Sequence, residues 1–375
     1  MGRTGQGWDT ALSSGGLLLC NNQPEDWQMV VDRGLKIMVG IIAVILIGAV
    51  AYQASSVLAP LALALFIMAI VWPLQRSLQS WTPKLVALAI TIIVTVSVCL
   101  AFASLAVWGF SRVGRSLASD AARYQALFSD LVAWLEARGL SVAEIWAEHF
   151  NVAWLLRVVQ QLGGRANTTL TFWIVTLVYV LLGLLEIDDM RRKVEALKNA
   201  ELSKFLLAGT SLVAQKFRRY MFVRTLMSIL TGLLVWAFAR VSGLSFAAEW
   251  GVIAFVLNYI PFVGPFIATL FPTLLAISQF DTWQSALGVF ICLNVIQFVV
   301  GSYIEPRVAG NLLSISPTLV LFAIFLWTFL WGLFGTFIGV PITIAILTFC
   351  GQHPSGRWMA DLLGRPLQEP VKQAS

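Results

Sequence analysis

Long apolar runs, and the two places where such runs fail, organise this sequence. Leu35 to Ala54, Val57 to Trp72, Lys84 to Phe110, Thr169 to Leu185, Met221 to Val241 and Trp283 to Tyr303 are continuous apolar stretches. They approach the roughly 20 residues that a membrane-crossing helix needs, whereas barrel strands would alternate apolar with polar. Two further segments are interrupted. One runs from Phe246 through Asn258, Tyr259, Pro261, Gly264 and Pro265 to Ile277, and the other from Pro317 through Gly335, Gly339 and Pro341 to Phe349. The arms Phe246 to Ile260 and Gly335 to Phe349 are too short to span, so each segment is expected to be a re-entrant or broken helical hairpin, interrupted at Pro261 and at Gly335. Backbone groups freed at such breaks must be buried in protein or face a wet cavity, and a pair of interrupted segments points to a transporter's binding site. The expected fold class is all-α: a polytopic membrane protein with about six spans, two hairpins and an extra-membrane helical insert.

Polar stretches divide the chain further. Residues 1–34 form a polar tail whose apolar patch, Leu17 to Cys20, is too short for a signal-peptide core. Residues 35–110 hold three spans, the second ending at Trp72-Pro73. In the insert, 111–167, the apolar stripe Val113, Leu117, Ala121, Tyr124, Phe128, Leu131 and Leu135 predicts a helix, and Ser141 to Glu144 a capping box opening a second one. That stripe serves oligomer contacts, the lipid surface or packing between the two helices. Residues 168–245 hold spans four and five and a basic linker, in which Val213, Phe217 and Tyr220 predict a helix lying along the inner face before the chain turns in. Residues 246–350 form hairpin, span and hairpin, and 351–375 a second tail. Lysine and arginine between Arg191 and Arg224, with Arg33, Lys36, Arg76 and Lys84, place both termini in the cytoplasm by the positive-inside rule.

Composition narrows the class. Of 375 residues 58% are hydrophobic and 12% charged, and the mean hydropathy is +0.82. The net charge of +6 gathers beside apolar runs, where it sets orientation, and nucleic acid is not an expected partner. Four scattered cysteines and two histidines support neither a disulfide framework nor a metal site. With no phosphate-binding loop and no zinc-protease helix, neither an enzyme nor a cofactor is expected.

Candidate chemistry lies inside the apolar runs. Asn258, Asn294 and Gln297 carry amides that need partners or a wet path, and they either line a solute route or tie helices together. Glu305 and Arg307 flank Pro306 at a span's inner end, where as a pair they gate the route or anchor the loop. Gly335 and Gly339 allow close backbone approach, and Pro341 frees a carbonyl. Glu249, at the mouth of the first hairpin, is the carboxylate through which a coupling ion, proton or sodium, would act.

Asn258 to Pro265, Ile304 to Gly310, Leu313 to Pro317 and Phe334 to Pro341, in this order, resemble the autoinducer-2 exporter family of bacterial inner-membrane proteins. The resemblance covers roughly Leu35 to Phe349. It implies export of a small signalling molecule in quorum sensing or, for some members, sodium-proton exchange, in both cases without ATP. A non-transporting membrane scaffold is the alternative of a different class, with the broken helices acting as packing devices.

Overall fold

The computed structural model describes residues 25–119, 137, 166–280, 283–309, 315–353 and 356–363. Most of the expected insert, with its stripe and capping box, lies outside the described residues, as do the outer parts of both tails. The chain falls into two units, Met1–Ala51 and Tyr52–Ser375. The first is represented by helix α1 (Glu25–Gln53), which is apolar from Met38 onward. The second contains α2 (Ser55–Gln79), α3 (Lys84–Ser119), α4 (Ala166–Glu195), α5 (Ala200–Val241), α6 (Ala247–Leu257), α7 (Val263–Phe280) and α8 (Trp283–Phe298). A π-helical turn (Val299–Ile304), α9 (Glu305–Ala309), α10 (Pro317–Gln352) and α11 (Arg357–Leu363) complete it. No strand occurs among the described residues, and seven helical runs are long and apolar enough to cross a membrane. The protein is a polytopic all-α membrane protein.

Helix α5 is the element on which the others converge. Asn199 caps it, its Oδ1 accepting from the amides of Glu201 and Leu202 at 3.1 and 3.0 Å. No proline follows, so nothing breaks the hydrogen-bond ladder through its 42 residues, a rod of about 63 Å. The basic linker is therefore shared between two helices: Arg191, Arg192 and Lys193 end α4, and from Lys204 onward it is the first half of α5, which runs into the span without a turn. That half packs through Val213, Phe217 and Tyr220 against Leu63 and Phe66 of α2 and against Ile324, Ile338, Val340 and Ile344 of α10. The second half packs through Val235 and Ala239 against Trp250, Ile253 and Ala254 of α6. In lipid such contacts are held by close packing and hydrogen bonds, because apolar surface gains little by leaving hydrocarbon.

Helix α2 does not stop at Trp72-Pro73 but continues to Gln79. Pro73 has no amide proton to give to the carbonyl of Ala69, four residues earlier. Arg218 of α5 donates to that carbonyl at 3.2 Å, so the break is mended from outside the helix.

Both interrupted segments fold back on themselves. In the first, α6 and α7 are joined by a turn in which Phe262 has φ 62°. Within the turn the amides of Ile260 and Gly264 donate to the carbonyls of Leu257 and Ile260 at 2.9 and 3.1 Å. The second reverses inside α10 at Gly332, whose φ of 61° and ψ of −141° suit glycine alone. Thr328 and Thr336 share a hydroxyl bond of 2.7 Å across this reversal, and Trp327 packs on Gly339, which a straight helix would hold about 18 Å away. The expected break at Gly335 is thus displaced to Gly332, while Gly335, Gly339 and Pro341 are helical. Gly335 serves close approach instead, since a Cβ there would overlap the Trp327 carbonyl, just as a Cβ at Gly264 would overlap that of Leu257. One glycine in the second arm of each hairpin lets its backbone touch the first arm.

Candidate functional site

The polar residues of α5 sit where its two apolar contacts meet. Tyr220, Arg224, Ser228 and Thr231 follow at steps of four, four and three, which places them on one helical face, and all four are buried. The tip of the first hairpin reaches this face. Asn258 Nδ2 donates to Ser228 Oγ at 3.2 Å, and Tyr259 Oη donates to Thr225 Oγ1 at 3.1 Å. From the other side Glu305, the first residue after the π-helical turn, meets Arg224 at 2.7 Å. The second hairpin contributes Phe337, whose ring lies 6.1 Å from that of Tyr259 with planes 30° apart. Phe102 and Phe255 stand edge-on to Tyr259 at 5.2 and 5.6 Å. Tyr259 is thus the point at which α3, α5 and both hairpins meet, and the junction is closed by rings.

Local structure explains the aim of the hairpin tip. Gly232 of α5 and Gly251 of α6 pack backbone against backbone, so the two helices run in direct contact up to Asn258. At the far end of α6, Glu249 is buried and pairs with Arg112 of α3 at 3.0 Å, while Arg112 also lies over the Trp108 ring. The loop before α6 is clamped by Gln279, which donates to the Gly243 carbonyl and accepts from the Ser245 amide at 2.7 and 2.8 Å.

Not every residue singled out in the sequence joins this constellation. Asn258 and Tyr259 do, with Pro261, Gly264 and Pro265 shaping the turn behind them. Glu305 does as well, although not through Arg307: Glu305 pairs with Arg224, and Arg307 stacks on Tyr303 at 3.5 Å. The expected Glu305–Arg307 pair is absent because Arg224 presents a buried charge that a neighbouring surface arginine does not. Asn294 is exposed and donates to the Phe290 carbonyl of its own helix at 2.8 Å. Gln297 is half-buried, and its Nε2 has no partner among the described residues. Gly335, Gly339 and Pro341 build the second hairpin. No cluster of metal-binding side chains occurs among the described residues.

Comparison with known proteins decides the class. A family model described as AI-2E family transporter matches residues 41–354. The chain belongs to the AI-2E transporter family. Among its relatives, the AI-2 transport protein TqsA of Escherichia coli (strain K12) is 29% identical over 88% of this chain and 96% of its own length. A putative transport protein of Haemophilus influenzae is 27% identical with the same coverage of both chains. Another of Borreliella burgdorferi is 30% identical over 51% of this chain and 52% of its own. As an AI-2E transporter the protein is a multi-pass membrane protein that works on a solute within the lipid bilayer.

Sequence reasoning missed Arg224, Thr225, Ser228 and Thr231, reading Arg224 as one more orienting charge and Tyr220 as part of a surface stripe. The signal was present: an arginine in the first turn of the apolar run that begins at Met221, with hydroxyls at helical steps on either side of it.

Proposed function

We propose that this AI-2E transporter exports a small hydroxylated solute, driven by its gradient rather than by ATP, along the polar face of α5 between the two hairpins. The observation that carries this reading is the convergence of Asn258, Tyr259 and Glu305 on one stretch of α5, where they bond Ser228, Thr225 and the buried Arg224. Polar groups are expensive in lipid and are kept where they serve a route. Passage requires the Tyr259 and Phe337 rings to part, and the Arg224–Glu305 and Arg112–Glu249 pairs act as the gates on either side. The similarity to TqsA, an AI-2 transport protein, makes autoinducer-2 the first solute to try. The membrane is the bacterial inner membrane, with both termini in the cytoplasm.

Efflux of labelled autoinducer-2 from vesicles containing the purified protein tests this reading. Release faster than from protein-free vesicles is expected, reduced about threefold to tenfold by Asn258→Ala through the loss of one buried hydrogen bond. Release at the protein-free rate rejects export and favours a scaffold. A second reading, sodium-proton antiport, draws on Glu249, whose side chain is only 7% exposed. In that case pH-driven sodium flux is lost in Glu249→Gln; flux that persists removes Glu249 from any coupling role.

A further inference from the structure

Arg224 is the most deeply buried charge of the site, and its bonding is incomplete. A guanidinium keeps its proton at any ordinary pH and offers five N–H donors in a fork that matches two oxygens at once. Glu305 meets it through Nη1 alone, and Nε, buried as well, has no acceptor among the described residues. The two partners are unequally held: the Arg224 side chain is 6% exposed and that of Glu305 21%. The arginine is enclosed, and the carboxylate is partly open at the surface of the chain.

A second unmet group lies on the same face. Thr231 Oγ1 is fully buried without a partner among the described residues, two turns beyond Arg224 and about 10 Å along the helix axis. Between the two, Ser228 is bonded to Asn258 at the hairpin tip. The face therefore presents, in order, a cation short of an acceptor, a neutral polar bridge and an unpaired hydroxyl. A neutral polyol would serve the hydroxyl but gives no reason for a charge that is costly to bury. A solute with a two-oxygen anion at one end and hydroxyls along its length serves all three.

We propose that Arg224 is the solute-recognition residue of the route, taking a small hydroxylated solute whose carboxylate or phosphate group replaces Glu305 on the guanidinium while a hydroxyl reaches Thr231. This rests on the transport reading above and names the charge class of its solute. Glu305 is then an internal stand-in for the solute anion: it neutralises Arg224 in the empty site and swings toward water when the solute arrives. The fork geometry makes the exchange favourable, since two parallel N–H···O bonds replace one.

The test uses the full chain in phosphatidylcholine vesicles, which offer no anionic headgroup. Labelled erythronate, erythritol 4-phosphate and erythritol serve as probes, sharing one skeleton and differing in charge. At least one anion is expected to leave at least tenfold faster than from protein-free vesicles. Arg224→Gln should abolish that release, and Arg224→Lys, which keeps the charge but not the fork, should retain a fraction of it. In detergent, Glu305→Gln should bind the same anion at least tenfold more tightly than wild type, read as a larger rise in Tm at equal anion concentration, because the internal competitor is gone. Anion release that survives Arg224→Gln, erythritol released as fast as either anion, or no tightening in Glu305→Gln each overturns anion recognition and leaves transport standing. No release of any probe, together with no anion-dependent change in Tm, overturns anion recognition, and the transport reading falls with it only if autoinducer-2 is not released either.

Discussion

The two hairpins solve one backbone problem with different chemistry. Each folds a short first arm against a longer second arm, passes through a single left-handed residue, Phe262 or Gly332, and closes by seating a glycine on a carbonyl. Beyond that geometry they diverge. The first hairpin sends its polar groups outward: Glu249 to Arg112, Asn258 to Ser228 and Tyr259 to Thr225. The second keeps a hydroxyl bond internal, between Thr328 and Thr336, and meets its neighbours mainly through apolar packing, with Phe334 stacked on Phe172 at 3.6 Å and one polar tie, Lys216 Nζ to Thr348 Oγ1 at 3.0 Å. One hairpin carries recognition, and the other supplies shape.

The comparison can be broken first where the hairpins agree. Gly264→Ala and Gly335→Ala each drive a methyl into a backbone carbonyl, and each should cost about 3 kcal/mol, near the upper end for overpacking, read as a fall in the thermal midpoint. A loss in only one of them would show that the two closures are not equivalent. Next comes the asymmetry of the Arg112–Glu249 pair. Arg112→Gln strands a carboxylate 7% exposed and should cost about 3 kcal/mol. Glu249→Gln leaves an arginine that is 51% exposed, so its cost to stability should be smaller.

A finer contrast separates recognition from shape. Asn258→Ala removes one buried hydrogen bond and Thr336→Val the two that its hydroxyl makes, to Thr328 and to the Gly332 carbonyl, at about 1 kcal/mol each, so the thermal midpoint should fall at least as far in Thr336→Val. Only Asn258→Ala should slow efflux in proportion; equal slowing by Thr336→Val would give the second hairpin a share in recognition. The smallest effect belongs to Asn294→Leu. Its amide bonds its own helix on an exposed face, and the change should stay within about 0.5 kcal/mol.

Much of this architecture was legible in the chain. Apolar run length gave the helices, and Pro261 with Gly264 and Pro265 located the first reversal, because proline and glycine act on the backbone wherever they stand. The second reversal was misplaced by three residues: Gly332, Gly335 and Gly339 are alike in sequence, and only the fold shows which one takes the left-handed conformation and which two make room for Trp327. Pro73 and Pro341 look like helix breakers by the same local logic. Whether a proline ends a helix depends on a donor elsewhere, and for Pro73 that donor is Arg218. The site was half legible. Asn258, Tyr259 and Glu305 were visible as polar residues in unusual company, but Arg224 lay among many basic residues, and its partner is 81 positions away.

The wide turn at Val299–Ile304 sets the phase of all that follows it. A π-helical turn holds one residue more than an α-helical turn, so it rotates the next segment by about 100° relative to an unbroken helix. Glu305 faces α5 by virtue of that single surplus position. Deleting one residue there would leave length and hydropathy almost unchanged yet swing the carboxylate away from Arg224, so spacing in this stretch is as much a part of the site as side-chain identity.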